Sequence, residues 1–341
     1  MKPPTVSVCI PSYNHAKFLP ATLDSILGQT FQDFEIVAVD DGSSDGSLDI
    51  LHDYARQYSG NIHVFTHPGR RNLGIAATAN LAFIKSSGTY WCGHTSDDVS
   101  YPNRLERQVS FLENHHTVGW VYSVAEMIDA NGARLDQEFG VDLSSCPDIM
   151  ERLIWRNCIV APSTMVRREC RLRVHPEDES LVYSDWDLFV RLAASYSAAF
   201  VPPPIVQYRV HGSNTSLGVP LAEQARRILA VMVALRHKAD SDGGRLSCPR
   251  TKSILEFQQA SLFAQVGDFE SARRKVRGML ESDPSLRDLK DLAQWLLHEP
   301  GRRLALAIMS ELRVSSCLVD RAFLSTLLRI FVYSPLQRSF R

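Results

Sequence analysis

Two apolar runs near the start of the chain, VSVCI from Val6 and FEIVAVD from Phe34, each end in a polar cluster. Short runs rich in β-branched and aromatic residues, bounded by turn formers, read as buried strands. Pro11, Tyr13 and Asn14 follow the first run; Asp40, Asp41, Gly42 and Ser43 close the second. In an open α/β sheet, ligands bind outside the carboxyl ends of the strands. An aromatic ring beside paired carboxylates at adjacent strand ends suits the base and ribose of a nucleotide.

From residue 6 to about 115 the chain alternates strand-like and helix-like stretches. Phe18, Leu19, Leu23, Ile26 and Leu27 recur at helical spacing, as do Leu48, Leu51 and Ala55. IHVFT precedes GIAATANLAFIKSS, and TYWCG leads into a helix from about Asn103 to Glu113. Such alternation predicts a mainly parallel sheet covered on both faces. Past Val118 the pattern changes. WVYSVAEMID and ARLD read as two strands joined by a turn at Asp129–Gly132. Helices near Asp148–Trp155 and Asp185–Ser195, a short strand near Thr164–Val166, and strands on either side of Pro202–Pro204 complete the expectation of an α/β fold with a mixed sheet. From Pro220 onward the chain reads as helix only. Within it, ILEFQQASLFAQVGDFESARRKVRGMLESDP has the form of one tetratricopeptide-type helix pair, with Gly267 at the turn and Asp283-Pro284 at the stop. The bland alternative is a helical cap. The expected division is a nucleotide-binding, catalytic domain over 1–217 and a helical region over 218–341.

Composition excludes some classes. A net charge of -1 does not suit a general nucleic-acid binder. The seven cysteines form no CxxC pair and are odd in number, which suits free thiols in a reducing compartment. The N-terminus MKPPTVSV lacks the apolar stretch of a signal peptide. No run of about 18 apolar residues predicts a spanning helix. A cytoplasmic protein is the expectation. The terminal DRAFLSTLLRIFVYSPLQRSFR is apolar with scattered arginines. It reads either as a helix buried against its neighbours or as a peripheral contact with the inner, anionic face of a cell membrane.

Several clusters carry chemistry, and each has a plainer reading beside it. Tyr13 is placed to stack on a base, worth on the order of 1–3 kcal/mol, although Pro-Ser-Tyr-Asn is also simply turn-prone. Asp40 and Asp41 are acceptors for a base imino group or a ribose hydroxyl; the plain role is capping, which Ser44 and Asp45 also fill. Arg71 in RNLGIAATAN is a candidate partner for nucleotide phosphates or base. Gly74 lets the chain turn into the helix that carries Asn80. Thr95-Ser96-Asp97-Asp98 closes the fourth strand. Asp185 and Asp187 open a helix, where the dipole favours acidic side chains in any case. Arg209 and His211 lie two apart, so on a strand they share a face.

Taken in order, PSYN, VDDGSSD, the NLG segment, TSDD with YPNRLERQ, SDWDL and YRVHGSNTS resemble family-2 glycosyltransferases over about two thirds of the chain. The resemblance implies a GT-A fold and transfer of a sugar, with inversion, from a nucleotide sugar to an acceptor hydroxyl. A UDP-sugar is the expected donor, and a glycan or lipid-linked acceptor in polysaccharide or lipopolysaccharide assembly the expected setting. It makes Asp185 the catalytic base. It places Pro11, Tyr13, Asn14, Asp40, Asp41, Arg71, Asn80, Asp98 and Arg209 around the donor. It gives Asp97, helped by His211, a divalent metal (Mn²⁺ or Mg²⁺) on the donor diphosphate. The acceptor is expected along Asn157–Arg167, with Trp155 and Trp186 available to stack on a sugar ring. One departure stands out. Thr95 occupies the position of the first aspartate of the family's Asp-Ser-Asp-Asp; Mg²⁺ often uses only one or two carboxylates, so the site is altered rather than erased. The departure also motivates a second class, a nucleotide-sugar binder without turnover. A third, a nucleotidyltransferase, calls for a Gly-rich basic loop after the first strand, where this chain has SYNHAKF.

Overall fold

The structure, a computed structural model, describes residues 2–215, 219–241, 244–268 and a few positions up to 278. It divides into two compact units, Met1–Gly218 and Val219–Arg341.

The main sheet of the first unit has seven strands. β1 (Val6–Ser12), β2 (Phe34–Asp40) and β3 (Ile62–Thr66) run parallel with β4 (Tyr90–Gly93). β6 (Val118–Tyr122), β9 (Met165–Arg167) and β10 (Ser197–Phe200) extend the sheet, giving the order β10-β6-β9-β4-β1-β2-β3. β9 is the reversed strand: it is antiparallel to both β4 and β6 and makes the sheet mixed, as expected. All seven residues of β2 are buried, so both of its faces are covered. That is why FEIVAVD reads as a continuous apolar run rather than an alternating one.

Helices α1 (Leu19–Leu27), α2 (Ser47–Gln57) and α4 (Arg104–Asn114) join a common core. Leu19, Leu23 and Ile26 from α1, Leu51 from α2 and Leu105, Val109 and Leu112 from α4 pack there with Val6, Val8, Ile10, Ile36 and Cys92 of the strands. At about 25 cal/mol per Å² of apolar area, such side chains contribute roughly 1.5–3 kcal/mol each when fully buried. α3 (Ile75–Lys85) packs on β1 and β2, where Ala76, Ala77 and Ala82 allow close approach. The remaining helices of this unit are α5 (Ile149–Trp155), α6 (Arg168–Arg173) and α7 (Ser184–Ser195).

The segment WVYSVAEMID differs from its expected single strand. It breaks after Tyr122, and its second half, β7 (Ala125–Ile128), leaves for a separate four-stranded sheet in the order β5-β11-β7-β8, with β5 (Val99–Ser100), β8 (Arg134–Phe139) and β11 (Val206–Arg209). The Ser163 hydroxyl sits at the break. It accepts from Ser123 N at 3.1 Å and is also 2.8 Å from Ser123 O. One side chain thereby satisfies both backbone groups that would otherwise seek a ladder partner. The turn at Asp129–Gly132 joins β7 to β8.

In the second unit α8 (Leu221–Ser241) packs on α9 (Pro249–Gln265), with Gln259 Nε2 donating to Met232 O at 3.1 Å. Gly267 follows with φ +86°. The second helix of the tetratricopeptide-like pair is described at only a few positions, and the apolar C-terminal segment lies outside the described residues. Among the described residues, no helix is long and apolar enough to cross a membrane, and the six cysteines are free thiols.

Candidate active site

Three loops meet at the carboxyl ends of β1, β2 and β4. Hydrogen bonds bind the first two together. Asn14 N donates to Ser43 Oγ at 2.9 Å, Asn14 Oδ1 accepts from Ser44 N at 2.9 Å, His15 N donates to Ser47 Oγ at 3.0 Å, and Ala16 N donates to Asp45 Oδ2 at 2.9 Å. Asn14 takes a φ of +53°, a left-handed conformation that asparagine tolerates better than most residues. Its side chain is thereby committed to holding the loop. Pro11 sits within β1, and Tyr13 at the turn is 46% exposed.

Asp40 and Asp41 are adjacent in sequence yet differently employed. Asp41 accepts from Leu73 N at 2.7 Å and Gly74 N at 3.0 Å, fastening the loop that carries the exposed Arg71. Asp40 accepts from Gly42 N and Ser43 N through Oδ1, at 3.1 and 3.0 Å. Its Oδ2 is buried with no hydrogen-bond partner among the described residues, and so is Ser12 Oγ on the neighbouring strand. A buried carboxylate oxygen left unpaired costs free energy. A ligand donor would remove that cost.

The third loop is built around Asp97 and Asp98. Asp98 is fully enclosed: its oxygens accept from the Thr95 hydroxyl and from Arg209 N, the latter at 2.7 Å. Burial, followed by the charge of Asp97, pushes its carboxyl well above the usual range. The Arg209 guanidinium donates to Asp97 O at 2.8 Å and Asp129 O at 3.3 Å, and lies over the Phe18 ring at 5.3 Å. Its donors therefore brace β11 against the Asp97 loop. Asp97 turns its carboxylate the other way, with Oδ2 at 2.9 Å from His211 Nε2 and 4.0 Å from His15 Nε2. Burial raises its pKa, but the His211 hydrogen bond and the two imidazoles outweigh that and hold it below the ordinary value. Asp97 is thus a carboxylate, the form that binds a cation. His15 was not singled out in the sequence; its only local signal is its place immediately after the Tyr13–Asn14 turn.

Asp185 and Asn80 belong to a second cluster, organised by Glu177. Asn80 bonds both backbone groups of Glu177, donating to its O at 3.0 Å and accepting from its N at 2.8 Å. Glu177 Oε1 accepts from Arg171 at 2.9 Å and Oε2 from Ser184 Oγ at 2.8 Å. Arg171 is completely buried between the Phe83 and Trp91 rings. Ser184 begins α7, so this network fixes the helix end that carries Asp185. The half-buried Asp185 accepts from Trp186 N at 2.8 Å, and burial followed by the charge of Glu177 raises its pKa to about 6. Trp186 is buried, with its Nε1 donating to Leu153 O at 2.6 Å, and it serves the core between α5 and α7.

Residues 7–157 match the family model described as glycosyl transferase family 2. These residues form a family-2 glycosyltransferase domain, the domain of a transferase enzyme. Among its relatives, a putative glycosyltransferase EpsE of Bacillus subtilis is 36% identical over 135 residues, covering 39% of this chain and 48% of that protein. The chain thus spans about half the length of that relative. An uncharacterized glycosyltransferase of Methanocaldococcus jannaschii is 28% identical over 220 residues, covering 64% of this chain and 74% of its own. The fold is GT-A-like. It is similar to Staphylococcus aureus TarS residues 1–349 in complex with UDP-GlcNAc, with a TM-score of 0.61 and 17% identity over 86% of this chain and 87% of that one. It is also similar to a mannosyltransferase, PcManGT, from Pyrobaculum calidifontis in complex with GDP-Man and Mn²⁺, with a TM-score of 0.57 and 17% identity over 99% of this chain and 88% of that one.

Proposed function

We propose that the protein is an inverting glycosyltransferase whose catalytic domain spans residues 1–217, that its donor is a nucleotide sugar of the UDP class, and that its acceptor is a hydroxyl of a glycan or lipid-linked glycan. The observation that carries this reading is Asp185. It is a carboxyl on a rigid helix end with a pKa raised to about 6, strong enough as a base to take a hydroxyl proton during attack and still ionised at neutral pH. Asp185 removes the acceptor proton, and the acceptor oxygen forms a bond to the anomeric carbon. The bond from that carbon to the diphosphate breaks, and the nucleoside diphosphate departs with the electron pair. Displacement from the opposite face converts an α-linked donor into a β product.

Donor recognition falls to the strand ends. The unpaired Asp40 Oδ2 accepts from a base imino group or ribose hydroxyl, the exposed Tyr13 ring stacks on the base, and Arg71 reaches the phosphates. Asn14, Asp41, Asn80, Asp98 and Arg209 hold the loops in place. The ionised Asp97 with His211 fits a divalent cation. Bound there, the cation supplies charge neutralisation on the leaving diphosphate. A setting in cell-surface polysaccharide assembly on the cytoplasmic side of the membrane accords with this chemistry. Thr95 favours one other reading, a binder without turnover, because its hydroxyl is spent on Asp98.

Asp185→Asn separates the two. Transfer falls at least about a hundredfold, the lower range for a positioned general base, while UDP binding by calorimetry is unchanged and the wild-type product is β by NMR. A wild type that binds donor but never turns it over with any acceptor sinks the transferase reading.

A further inference from the structure

We infer that His15 supplies a third protein ligand to the cation at Asp97, in place of the carboxylate absent at Thr95, and that the resulting set of two imidazoles and one carboxylate selects transition-metal ions such as Mn²⁺ over Mg²⁺. The inference rests on the cation site proposed above and adds a ligand and a selectivity to it.

The geometry is specific. His15, Asp97 and His211 each point one ligand atom to a common space, all within 4.8 Å of one another. Two ligands with bonds of about 2.1 Å to one ion lie roughly 3 Å apart when adjacent and at most about 4.2 Å when opposite, so closure takes a shift of about an ångström. The far nitrogen of each imidazole is anchored. His15 Nδ1 lies 2.7 Å from Ser96 Oγ, and His211 Nδ1 lies 2.8 Å from Ser213 Oγ. These contacts fix the orientation of both rings; His211 Nε2, now 2.9 Å from Asp97 Oδ2, would give up that hydrogen bond to the cation. His15 Nε2 is 4.0 Å from Asp97, beyond hydrogen-bond range, so it is not spent on that carboxylate. The two rings stand edge to face at 87° with centroids 5.5 Å apart. Phe18 backs both, at 5.9 Å from His15 and 4.5 Å from His211, and supplies an apolar wall. The His15 backbone is pinned to Ser47 at 3.0 Å.

The same structure shows why Thr95 is no substitute for a carboxylate: its neutral hydroxyl donates to Asp98. The oxygen ligand absent there is replaced from a different loop by a nitrogen. Mg²⁺ takes oxygen ligands and keeps its waters, whereas imidazole suits first-row transition-metal ions, increasingly so from Mn²⁺ to the later ones.

Metal-free protein, with and without UDP, is titrated calorimetrically with Mn²⁺ and with Mg²⁺ for the wild type, His15→Ala and His15→Asp. The expected result is Mn²⁺ binding tighter than Mg²⁺ in the wild type. His15→Ala weakens Mn²⁺ by about 10–100-fold with little effect on Mg²⁺, and His15→Asp narrows the preference. Pulsed EPR of the Mn²⁺-loaded wild type shows nitrogen coupling from two imidazoles. Coupling from one imidazole, or a His15→Ala variant with unchanged affinity and preference, overturns the role of His15 and leaves Asp97 and His211 standing. No binding of either ion overturns both. If His15→Ala fails to fold, the nitrogen count in the wild type decides alone.

Discussion

Asp185 shows how one residue is set for its task by others remote in sequence. Burial and Glu177 raise its pKa to about 6. The rate of transfer therefore rises with pH through about 6 as the base ionises. Glu177→Gln removes the neighbouring charge, so this rise moves to lower pH; a profile of kcat/KM against pH for both proteins checks it. The stability consequence has the opposite sign. A carboxyl whose folded pKa lies above its unfolded value stabilises the fold only while protonated. That contribution is complete below about pH 4 and is lost as pH rises through about 6. Asp185→Asn therefore raises Tm at pH 8, by on the order of 2 kcal/mol in stability, and has no effect on it below pH 4. An unchanged Tm at pH 8 contradicts the account of burial. Asp185 was legible in the sequence because an acidic pair opens a strongly amphipathic helix within a known motif. Glu177 and Arg171 were not. They sit in a loop and a short helix without periodicity, and their importance comes from meeting Asn80 and Ser184 in space.

Among the elements, the loops after the strands matter more than the strands. The strand–helix alternation up to residue 115 was readable because the apolar runs of β1, β2 and β4 bury both faces of parallel strands. The split of WVYSVAEMID was not, since the hydroxyl that sits at the break, Ser163, is forty residues away. The loop after β2 passes close to the loop carrying Arg71 at Gly42, which has a φ of +77°. A Cβ there would lie 2.5 Å from Arg70 O and 3.0 Å from Asn72 N, both backbone atoms. Gly42→Ala therefore adds a clash to an unfavourable backbone conformation. The expected cost is about 1–3 kcal/mol, with weaker UDP binding because the turn that holds Asp40 must move. Denaturant unfolding and calorimetry measure the two effects. Equal stability and affinity in Gly42→Ala would show that the loops are not braced against each other.

For the molecule as a whole, the first unit carries every residue to which a donor, metal or base role is given. The fold class and the order of the motifs were legible along the chain. The convergence of His15, Asp97 and His211 was not, because the sequence separations hide which loops meet. The second unit contributes the α8–α9 pair among its described residues, and its apolar C-terminal segment lies beyond them. The central claim, a metal-assisted transferase using a nucleotide sugar, is tested most directly by a donor panel. UDP-, GDP- and dTDP-sugars are incubated with the protein and Mn²⁺ or EDTA, with thermal shift and nucleotide release as readouts. The account predicts that one donor, of the UDP class, raises Tm and is slowly hydrolysed with Mn²⁺ but not with EDTA. A protein that is stabilised by no nucleotide sugar under either condition contradicts the roles given to Tyr13, Asp40 and Asp97.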